Sequence, residues 1–578
     1  MSEIKSSATP EPSTISTPVL IVGRGPVGMT VALRLAAFGI KSVIADPEDW
    51  EAFPGSKALC MQRESMEILE RVGCGKAMAS GGVIWPLGRT YYREKEISQV
   101  RFPPFTGLGF PPFINFAQRE TEALLLDRLR EEPGVEKLFG HRLTSIEQND
   151  QGVDAVLQGP DGVVHCHADY VVGCDGSRST LRKELGVAFN GKSYTTNFLI
   201  FDIRAKLSYP NERRLHFDPS FNPGRTVLIH PLPNEDWHID WQVGGEPLDI
   251  EEERHSGRAD ARIRALLGDT PYEILWLTTY AFRSLIADRM RVGRAFIVGD
   301  AAHLVSPYGA RGLNSGLADA DNIAWKLAYV MNGRASTSLL DSYQAERHPA
   351  AAENMRITDQ TAQFMAPPTW LKTLKRKLIL AAGARIPALR RFVNAGVFYQ
   401  PAVYRSSDII QTPSDQPGFT AGLCGAVAPD AACIRVGSTN DGGNQTVRLR
   451  ELIGNEILTL IVTPSAFSLT EADQKRLSEW PDNLPTSKIA IVAPSWPAES
   501  ASDQIPVSIQ IADPDGAIAK AYVPADNADK TYVFLIRPDS YIAAQWQFED
   551  LSSLSDWVAF IVGRSPAPPG TTNSAETS

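Results

Sequence analysis

The sequence is poor in the features that mark metalloproteins, disulfide-rich secreted proteins and membrane proteins. Its six cysteines form no CxxC pair and no zinc-like spacing; they are Cys60, Cys74, Cys166, Cys174, Cys424 and Cys433. We therefore expect reduced thiols in a cytoplasmic protein, and no metal site. No apolar run is long enough to span a bilayer, so we expect no membrane span.

The chain also lacks an excess of positive charge. Its 57 Lys and Arg residues against 67 Asp and Glu residues give a formal net charge of −10, and no long basic stripe compensates. Because phosphate binding depends on clustered cations, nucleic acid is excluded as a main partner. The 43% hydrophobic content is that of an ordinary folded protein, and 578 residues suffice for two to four domains.

What the chain does contain is one unbroken run, residues 295–325, that predicts a strand, an acidic turn, a glycine-rich loop and a helix start. The strand Ala295 to Val298 ends at Asp300, which places one carboxylate where ligands of open α/β folds bind. A loop of small residues can approach a flat ring, and a helix from about Ser315 points its amino end there. The loop includes Pro307, Gly309, Gly312, Leu313 and Asn314. Alone, such a loop is also typical of a simple turn and cap.

A second motif lies near the start of the chain, in residues 18–46. The apolar run VLIVG is followed by the glycines Gly23, Gly25 and Gly28 and then by a helical pattern. A further strand ends on Asp46, about twenty residues after the loop, where an acid meets a ribose hydroxyl in dinucleotide folds. Because strand, helix and acid all flank the glycines, this motif predicts a dinucleotide site.

Together these segments resemble the class A flavoprotein aromatic hydroxylases, which have the para-hydroxybenzoate hydroxylase fold. The similarity lies in GDAAH, P.GA.GLN and DA.N of the central run, and in three further segments in the family's order, GSKALCMQRE, QRETEALLL and DGSRSTLR. Together they cover nearly all of residues 18–405. The strand region FDPSFNPGRTVLIHPLPNEDWHIDWQVG is especially similar to 3-(3-hydroxyphenyl)propionate hydroxylases.

The resemblance implies roles for individual residues. Asp300 would hold the FAD ribityl chain, and the loop from Pro307 to Asn314 would lie along the isoalloxazine. Gln118 would lie beside the flavin, and Asp175 would serve the FAD pyrophosphate and transient NAD(P)H. Lys57 stands where the family usually has an arginine; it keeps the charge but cannot make a forked contact.

The substrate side is less defined by the sequence. Residues 190–280 predict a mostly antiparallel sheet, and in its last strand apolar residues alternate with His238, Asp240 and Gln242, so that one face is polar. One face of this sheet is expected to roof the substrate. The candidates for the pocket are His230, Trp241, Gln242 and Pro307. For His230, Trp241 and Gln242 a structural role is favoured over a catalytic one, and no catalytic base is identified.

The predicted fold class is α/β: a Rossmann-type FAD-binding domain with an inserted antiparallel-sheet substrate domain, a helical region and a C-terminal thioredoxin-like domain. The expected boundaries are a disordered tail at 1–17, FAD-binding segments at 18–188 and 281–345, the substrate sheet at 189–280, the helical region at 346–410, the thioredoxin-like domain at 411–563 and a disordered tail at 564–578. In the helical region, residues 373–392 are basic and amphipathic; their apolar positions are expected to cover the FAD domain, with a membrane surface as the alternative. The thioredoxin-like domain lacks the redox cysteine pair.

The function implied is monooxygenation of a small phenolic substrate through a flavin hydroperoxide. FAD would be bound tightly, NADPH or NADH would be a transient co-substrate because only one dinucleotide fingerprint is present, and dioxygen would be consumed. The alternatives are a tailoring oxygenase of an aromatic polyketide or antibiotic, and a flavin-binding scaffold without turnover. The halogenase string WxWxIP is absent. The resemblance allows a homodimer.

Overall fold

The computed structural model describes most of the chain, but neither residues 1–12 nor the segment that contains Lys57. The described ranges are 13–49, 58–102, 104–244, 248–367, 369–383, 386, 400–411, 423–437, 443–464, 488–496, 508–550 and 559. The roles expected for Lys57 and for the tail at 564–578 therefore lie outside the described residues.

The described strands are β1 Ser13–Val22, β2 Ser42–Asp46, β3 Cys60–Gln62, β4 Leu87–Tyr92, β5 Lys95–Arg101, β6 Phe113–Asn115, β7 Val135–Phe139, β8 Arg142–Gln148, β9 Val153–Gly159, β10 Gly162–Gly173, β11 Phe189–Arg204, β12 Arg213–Phe217, β13 Thr226–Pro231, β14 Asp236–Val243, β15 Glu273–Ala287, β16 Arg291–Val292, β17 Ala295–Ile297, β18 His303–Leu304, β19 Ala432–Val436, β20 Gln445–Arg448, β21 Leu458–Val462, β22 Lys488–Ala493, β23 Ile509–Ala512, β24 Tyr532–Ile536 and β25 Ile542–Gln547.

The described helices are α1 Pro26–Ala37, α2 Arg63–Glu70, α3 Gly75–Gly81, α4 Gln118–Arg130, α5 Thr180–Glu184, α6 Ile250–His255, α7 Arg258–Leu267, α8 Gly312–Met331, α9 Asp341–Met365, α10 Trp370–Gly383 and α11 Ala517–Tyr522. In the part of the chain that the structure describes, no helix combines the length and the apolar character needed to cross a membrane.

The first sheet carries the nucleotide motifs. Its strands run in the order β16-β17-β10-β1-β2-β7, with β9 and β8 added beside β10, and the pairs from β17 to β7 are parallel. Val19, Leu20 and Ile21 of β1 are fully buried, as expected for a parallel strand covered on both faces. Helix α1 starts at Pro26, whose fixed φ suits the first helical position.

The second sheet contains the strands that the sequence assigns to the substrate sheet, and it is larger than the sequence predicts. Its order is β18-β15-β11-β14-β13-β12-β4-β5, and β15 continues to Ala287 rather than ending at 280. The hairpin of β4 and β5 comes from residues assigned to the FAD domain and joins the sheet through a parallel pairing with β12. Local strand patterns do not reveal this partner, because the pairing bridges more than a hundred residues.

Two further boundaries differ from the expectation. Strand β1 begins at Ser13, which pairs with Val164 of β10, so the last five residues of the expected tail at 1–17 are ordered in a strand. Helix α9 begins at Asp341, inside the segment assigned to the FAD domain.

Helix α10 exposes part of its apolar surface. Within the segment 373–392, Leu374 and Leu378 are 47% and 62% exposed, whereas Arg376 and Leu380 are buried. The prediction that the apolar positions cover the FAD domain is therefore wrong for Leu374 and Leu378. The helix places its arginine inward because Arg376 donates hydrogen bonds to the carbonyl oxygens of Met365 and Gly224.

The C-terminal region contains a third sheet within the described residues, in the order β20-β19-β23-β22-β21-β24-β25. It is mixed, because β21, β22 and β23 are parallel and their other neighbours antiparallel. Its buried side chains form one apolar cluster with Trp325 and Tyr329 of α8. The sheet is therefore packed against the FAD-binding region, and its assignment as thioredoxin-like stays a prediction.

Candidate active site

The glycine loop after β1 is tightly packed. Gly23 has φ +106°, and a Cβ there would lie 2.4 Å from the carbonyl oxygen of Cys174; a Cβ on Gly28 would lie 1.9 Å from the carbonyl oxygen of Gly23. Gly25 has open space around its Cα position. Two of the glycines therefore let the loop fold, and the third leaves room for a ligand to approach the backbone.

The acids that the sequence places around this loop are held by backbone donors. The backbone N–H groups of Arg24 and Glu48 both donate to the Asp46 carboxylate at 2.8 Å. Asp175 Oδ2 accepts from the N–H of Thr180 at 2.7 Å, while its Oδ1 is buried with no partner among the described residues. Such a buried acceptor fits a ligand donor, because an unsatisfied one is costly.

A second glycine-containing segment runs from the end of β17 into the first turn of α8. We call residues 299–315, part of which the sequence resemblance places along the flavin, the flavin loop. Its Asp300 is exposed at the cavity described below, and Asn314 donates to the carbonyl oxygens of Cys60 at 2.9 Å and Ala310 at 2.6 Å. Gln118, at the start of α4, accepts from the N–H of Ala58 at 3.2 Å. Asn314 thus ties strand β3 to the flavin loop, and Gln118 ties the residue two positions before β3 to helix α4.

One cavity of about 340 Å³ joins the nucleotide side to the second sheet. Gly25, Pro26 and Asp300 line one end, together with Gln118 and the loop from Pro307 to Asn314. The amino ends of α1 and α8 both meet the cavity, and such ends favour negative charge. The crowded glycines, the unpartnered Asp175 oxygen and the two helix ends fit an FAD molecule.

The other end of the cavity meets a row of polar side chains that crosses four neighbouring strands. His230 of β13 pairs with His238 of β14, which pairs with Asp202 of β11. Arg213 of β12 precedes Arg214, the partner of Ile229, so it is level with His230. We call Arg213, His230, His238 and Asp202 the charge row; the first three line the cavity.

The charge row holds two histidines in different states. Burial alone would lower the pKa of His238, but the carboxylates of Asp240 and Asp202 raise it to about 10, so the ring is cationic at neutral pH. His238 Nδ1 lies 2.7 Å from Asp202 Oδ1, and its Nε2 lies 3.4 Å from Asp240 Oδ1. Burial and the cations Arg213 and His238 hold the pKa of His230 well below its usual value.

His230 is therefore a neutral ring between two cations. Its Nδ1 is buried with no hydrogen-bond partner among the described residues. Burial lowers the pKa of Arg213 to about 10, which still leaves the guanidinium charged at neutral pH. This arrangement can accept a hydrogen bond from a ligand hydroxyl and can stabilise a ligand oxygen that carries negative charge.

Aromatic side chains form the adjoining wall. Phe198 and Phe282 lie 4.7 Å apart between ring centroids, and Tyr308 lies edge-on to both at 6.3 and 5.8 Å. Burial raises the pKa of Tyr308, so its hydroxyl stays protonated; the hydroxyl oxygen has no partner among the described residues. Such a wall suits a flat aromatic ligand.

Two of the four substrate-pocket candidates reach the cavity, His230 and Pro307. Trp241 does not, because it lies on the opposite face of β14, 1% exposed in an apolar cluster. Gln242 faces the correct side but accepts from the N–H and the hydroxyl of Thr226, both at 2.8 Å, and so lies behind that cavity residue. Trp241 and Gln242 are therefore corrected to supporting positions.

The prediction missed several cavity residues, namely Arg213, His238, Asp240, Tyr280 and Tyr308. The alternation in β14 showed that His238 and Asp240 share a face, but which face met the ligand depended on sheet packing. For Arg213 there was no local signal, since Arg214 follows it directly and only the strand register distinguishes the two.

A dinucleotide loop, the flavin loop and a polar sheet joined by one cavity are the arrangement expected of a flavin-dependent monooxygenase. In agreement, a family model described as FAD binding domain matches residues 16–358. The chain belongs to this family of FAD-binding, flavin-dependent monooxygenases.

Named relatives and solved structures are consistent with this class. The 3-(3-hydroxy-phenyl)propionate/3-hydroxycinnamic acid hydroxylase of Mycolicibacterium smegmatis is 28% identical over 406 residues, which are 70% of this chain and 71% of that protein. The structure of the flavin-dependent monooxygenase PieE in complex with FAD and substrate shares the fold, with a TM-score of 0.77, 21% identity and coverage of 95% and 100%. The anhydrotetracycline hydroxylase OxyS from Streptomyces rimosus has a TM-score of 0.67, 25% identity and coverage of 95% and 99%.

Proposed function

We propose that the protein hydroxylates the ring of a small phenolic substrate, with NADPH or NADH as electron donor and dioxygen as oxygen donor. One observation carries the proposal: a single cavity joins the flavin loop to the charge row. The Mycolicibacterium smegmatis relative is named for hydroxyphenyl acids, which supports a phenolic substrate.

Seven of the residues proposed to hold FAD line that cavity, namely Gly25, Gln118, Asp300, Pro307, Gly312, Leu313 and Asn314. The other four, Gly23, Gly28, Asp46 and Asp175, belong to the glycine loop after β1 and to the acids described with it. When bound, FAD supplies electron transfer from NAD(P)H and the activation of dioxygen. The chain has one dinucleotide fingerprint, which FAD would occupy, so the nicotinamide would bind only transiently.

The charge row is proposed to bind the phenol oxygen and favour its anionic form. Neutral His230 accepts the hydrogen bond of the phenol before it ionises. On ionisation the proton passes to solvent, and the cations of Arg213 and His238 stabilise the phenolate. A phenolate ring is richer in electrons than a phenol ring and so attacks an electrophilic oxygen more readily. The wall of Phe198, Phe282 and Tyr308 holds the ring flat and excludes water from it.

A second candidate is a tailoring oxygenase of an aromatic polyketide or antibiotic. The likeness to the anhydrotetracycline hydroxylase over 95% of the chain favours it. A flavin-binding scaffold without turnover is not favoured, since the family consists of monooxygenases. The two enzyme candidates differ in the size of the ring system that the cavity must accept.

The test is a screen of phenolic acids and of multi-ring phenols for stimulated NADH and NADPH oxidation, with products identified by mass. We expect a phenolic acid to give a product heavier by one oxygen atom. Arg213→Met should then raise KM at least about tenfold. Arg214→Met is the matched control, because Arg214 pairs with Glu212 instead of lining the cavity.

Three results would contradict the proposal. Turnover of multi-ring phenols alone would favour the second candidate. NAD(P)H oxidation that no phenol stimulates would show that the protein is not a phenol hydroxylase. An equal rise in KM for the Arg213 and Arg214 variants would show that the charge row does not bind the substrate.

A further inference from the structure

The flavin loop is closed by one buried arginine. Arg347 of α9 is fully buried, and its Nε donates to Asp319 Oδ1 at 2.5 Å. Asp319 Oδ2 accepts from the N–H of Gly299 at 3.1 Å and lies 2.7 Å from Nε2 of His303. Arg347 Nη2 donates to the carbonyl oxygen of Ser315 at 3.2 Å. One guanidinium therefore holds the loop near both of its ends.

Arg347 is in turn held by a residue that contacts the C-terminal sheet. Its Nη1 donates to the hydroxyl oxygen of Tyr404 at 3.0 Å. The Tyr404 ring stacks on Tyr541, with centroids 4.2 Å apart and planes inclined by 19°. Tyr541 directly precedes β25, so the contact reaches from the third sheet to the flavin loop in three steps.

A second attachment runs through the neighbouring residue of α9. Arg537, between β24 and β25, donates to both oxygens of Glu346 at 2.6 and 2.9 Å. Lys326 of α8 donates to the same carboxylate at 2.7 Å. All three side chains are fully buried, and the cations Arg537 and Lys326 hold the pKa of Glu346 low although burial alone would raise it. Glu346 of α9 is thus paired both with Lys326 of α8 and with Arg537 of the C-terminal region.

We propose that Arg347 is a positioning residue for the flavin site, and that the C-terminal sheet keeps it in place through Tyr541 and Tyr404. The sheet then serves the flavin site mechanically rather than by redox chemistry. If Arg347 loses its Tyr404 partner, its guanidinium loses the hydrogen bond toward the C-terminal sheet and is held less firmly against Asp319 and Ser315. The flavin loop would then sample positions in which it grips FAD less firmly. This inference rests on the proposed FAD site but not on the proposed substrate.

The experiment compares two tyrosine variants of the holoenzyme. Tyr404→Phe removes only the hydroxyl that Arg347 contacts. Tyr522→Phe is the matched control, because Tyr522 is an equally buried tyrosine whose hydroxyl donates to the carbonyl oxygen of Pro429 at 2.9 Å, within the C-terminal region. FAD release on dilution is followed by the rise in flavin fluorescence, and the environment of the bound flavin by visible circular dichroism.

We expect Tyr404→Phe to raise the FAD dissociation constant at least about fivefold and to alter the flavin dichroism, while Tyr522→Phe keeps the parental values. Arg347→Lys, which keeps the charge but cannot reach both loop ends, should give a larger effect in the same direction. Parental affinity and dichroism in Tyr404→Phe would overturn the proposal. The proposal would also be overturned if both tyrosine variants changed the FAD dissociation constant equally and in proportion to a fall in melting temperature. Both readouts need no aromatic substrate, so failure to find one bears on the proposed function alone.

Discussion

His230 and His238 are directly paired across β13 and β14, with ring centroids 6.4 Å apart, yet they hold different charges. The carboxylates beside His238 keep it protonated, and burial next to two cations keeps His230 neutral. A neutral hydrogen-bond acceptor and a cation held between two carboxylates are therefore presented side by side at the cavity.

This pairing predicts how a bound phenol ionises. The His238 cation favours the phenolate, so the pKa of a bound phenol should lie below its value in water. We expect His238→Gln to raise the pKa of the bound phenol by at least about one unit, which corresponds to roughly 1.4 kcal/mol. The measurement is a pH titration of the absorbance of bound 4-nitrophenol.

His216→Gln is the matched control for that titration. His216 lies in the same sheet, and burial followed by the charge of Arg214 lowers its pKa to about 4, so it contributes no cation at neutral pH. An unchanged titration in His238→Gln, or an equal shift in both variants, would show that the charge row does not act on the phenol.

Asp300 is predicted to retain FAD. Because it is exposed at the cavity directly after the turn at Gly299, Asp300→Ala should weaken FAD binding about tenfold or more and leave the fold intact. Ultrafiltration with flavin absorbance measures retention, and circular dichroism checks the fold. Asp341→Ala, at an exposed acid paired with Arg291, is the control. A variant that keeps FAD as tightly as the parent would show that the contact is misplaced.

The C-terminal cysteines are predicted to take no part in turnover. Burial raises the pKa of both Cys424 and Cys433 to about 12, so both remain thiols, and neither belongs to a CxxC pair. We expect Cys424→Ala with Cys433→Ala to keep kcat within about twofold. Steady-state turnover is measured beside the melting temperature, so that a loss of rate without unfolding would contradict the prediction.

Substrate is predicted to control the reduction of the flavin. A flavin reduced in an empty site would waste NAD(P)H, and a loop with Gly309 at φ +86° can accommodate different flavin positions. A confirmed phenolic substrate should raise the anaerobic reduction rate at least about tenfold, or roughly 1.4 kcal/mol of barrier. Stopped-flow absorbance with and without the substrate measures the reduction rate. Equal rates would show that substrate does not control flavin reduction.

The sequence predicts the strands and the glycine loop of the first sheet, because their signals are local. Gly23 and Gly28 are dictated by close backbone approach, and the strand ending at Asp46 follows from a short apolar run. The substrate side depends on register between distant strands. Arg213 faces the cavity because of its level beside His230, and no pattern within β12 distinguishes it from Arg214.

The contact between the C-terminal sheet and α9 could not be predicted from the sequence either. Arg537 and Glu346 are separated by 191 positions, and a buried ion pair leaves no periodic trace in either segment. The sequence also misjudged α10, since amphipathic spacing shows that two faces exist but not which of them meets the protein.

The two cysteines at the cavity matter for the resistance of such an enzyme to oxidation by hydrogen peroxide. Cys60 and Cys174 both line the cavity. Burial raises the pKa of Cys60 to about 12 and that of Cys174 well above its usual value. Peroxide oxidises the thiolate rather than the thiol. The two thiols that line the cavity are thus held in the protonated form, which hydrogen peroxide oxidises more slowly than the thiolate.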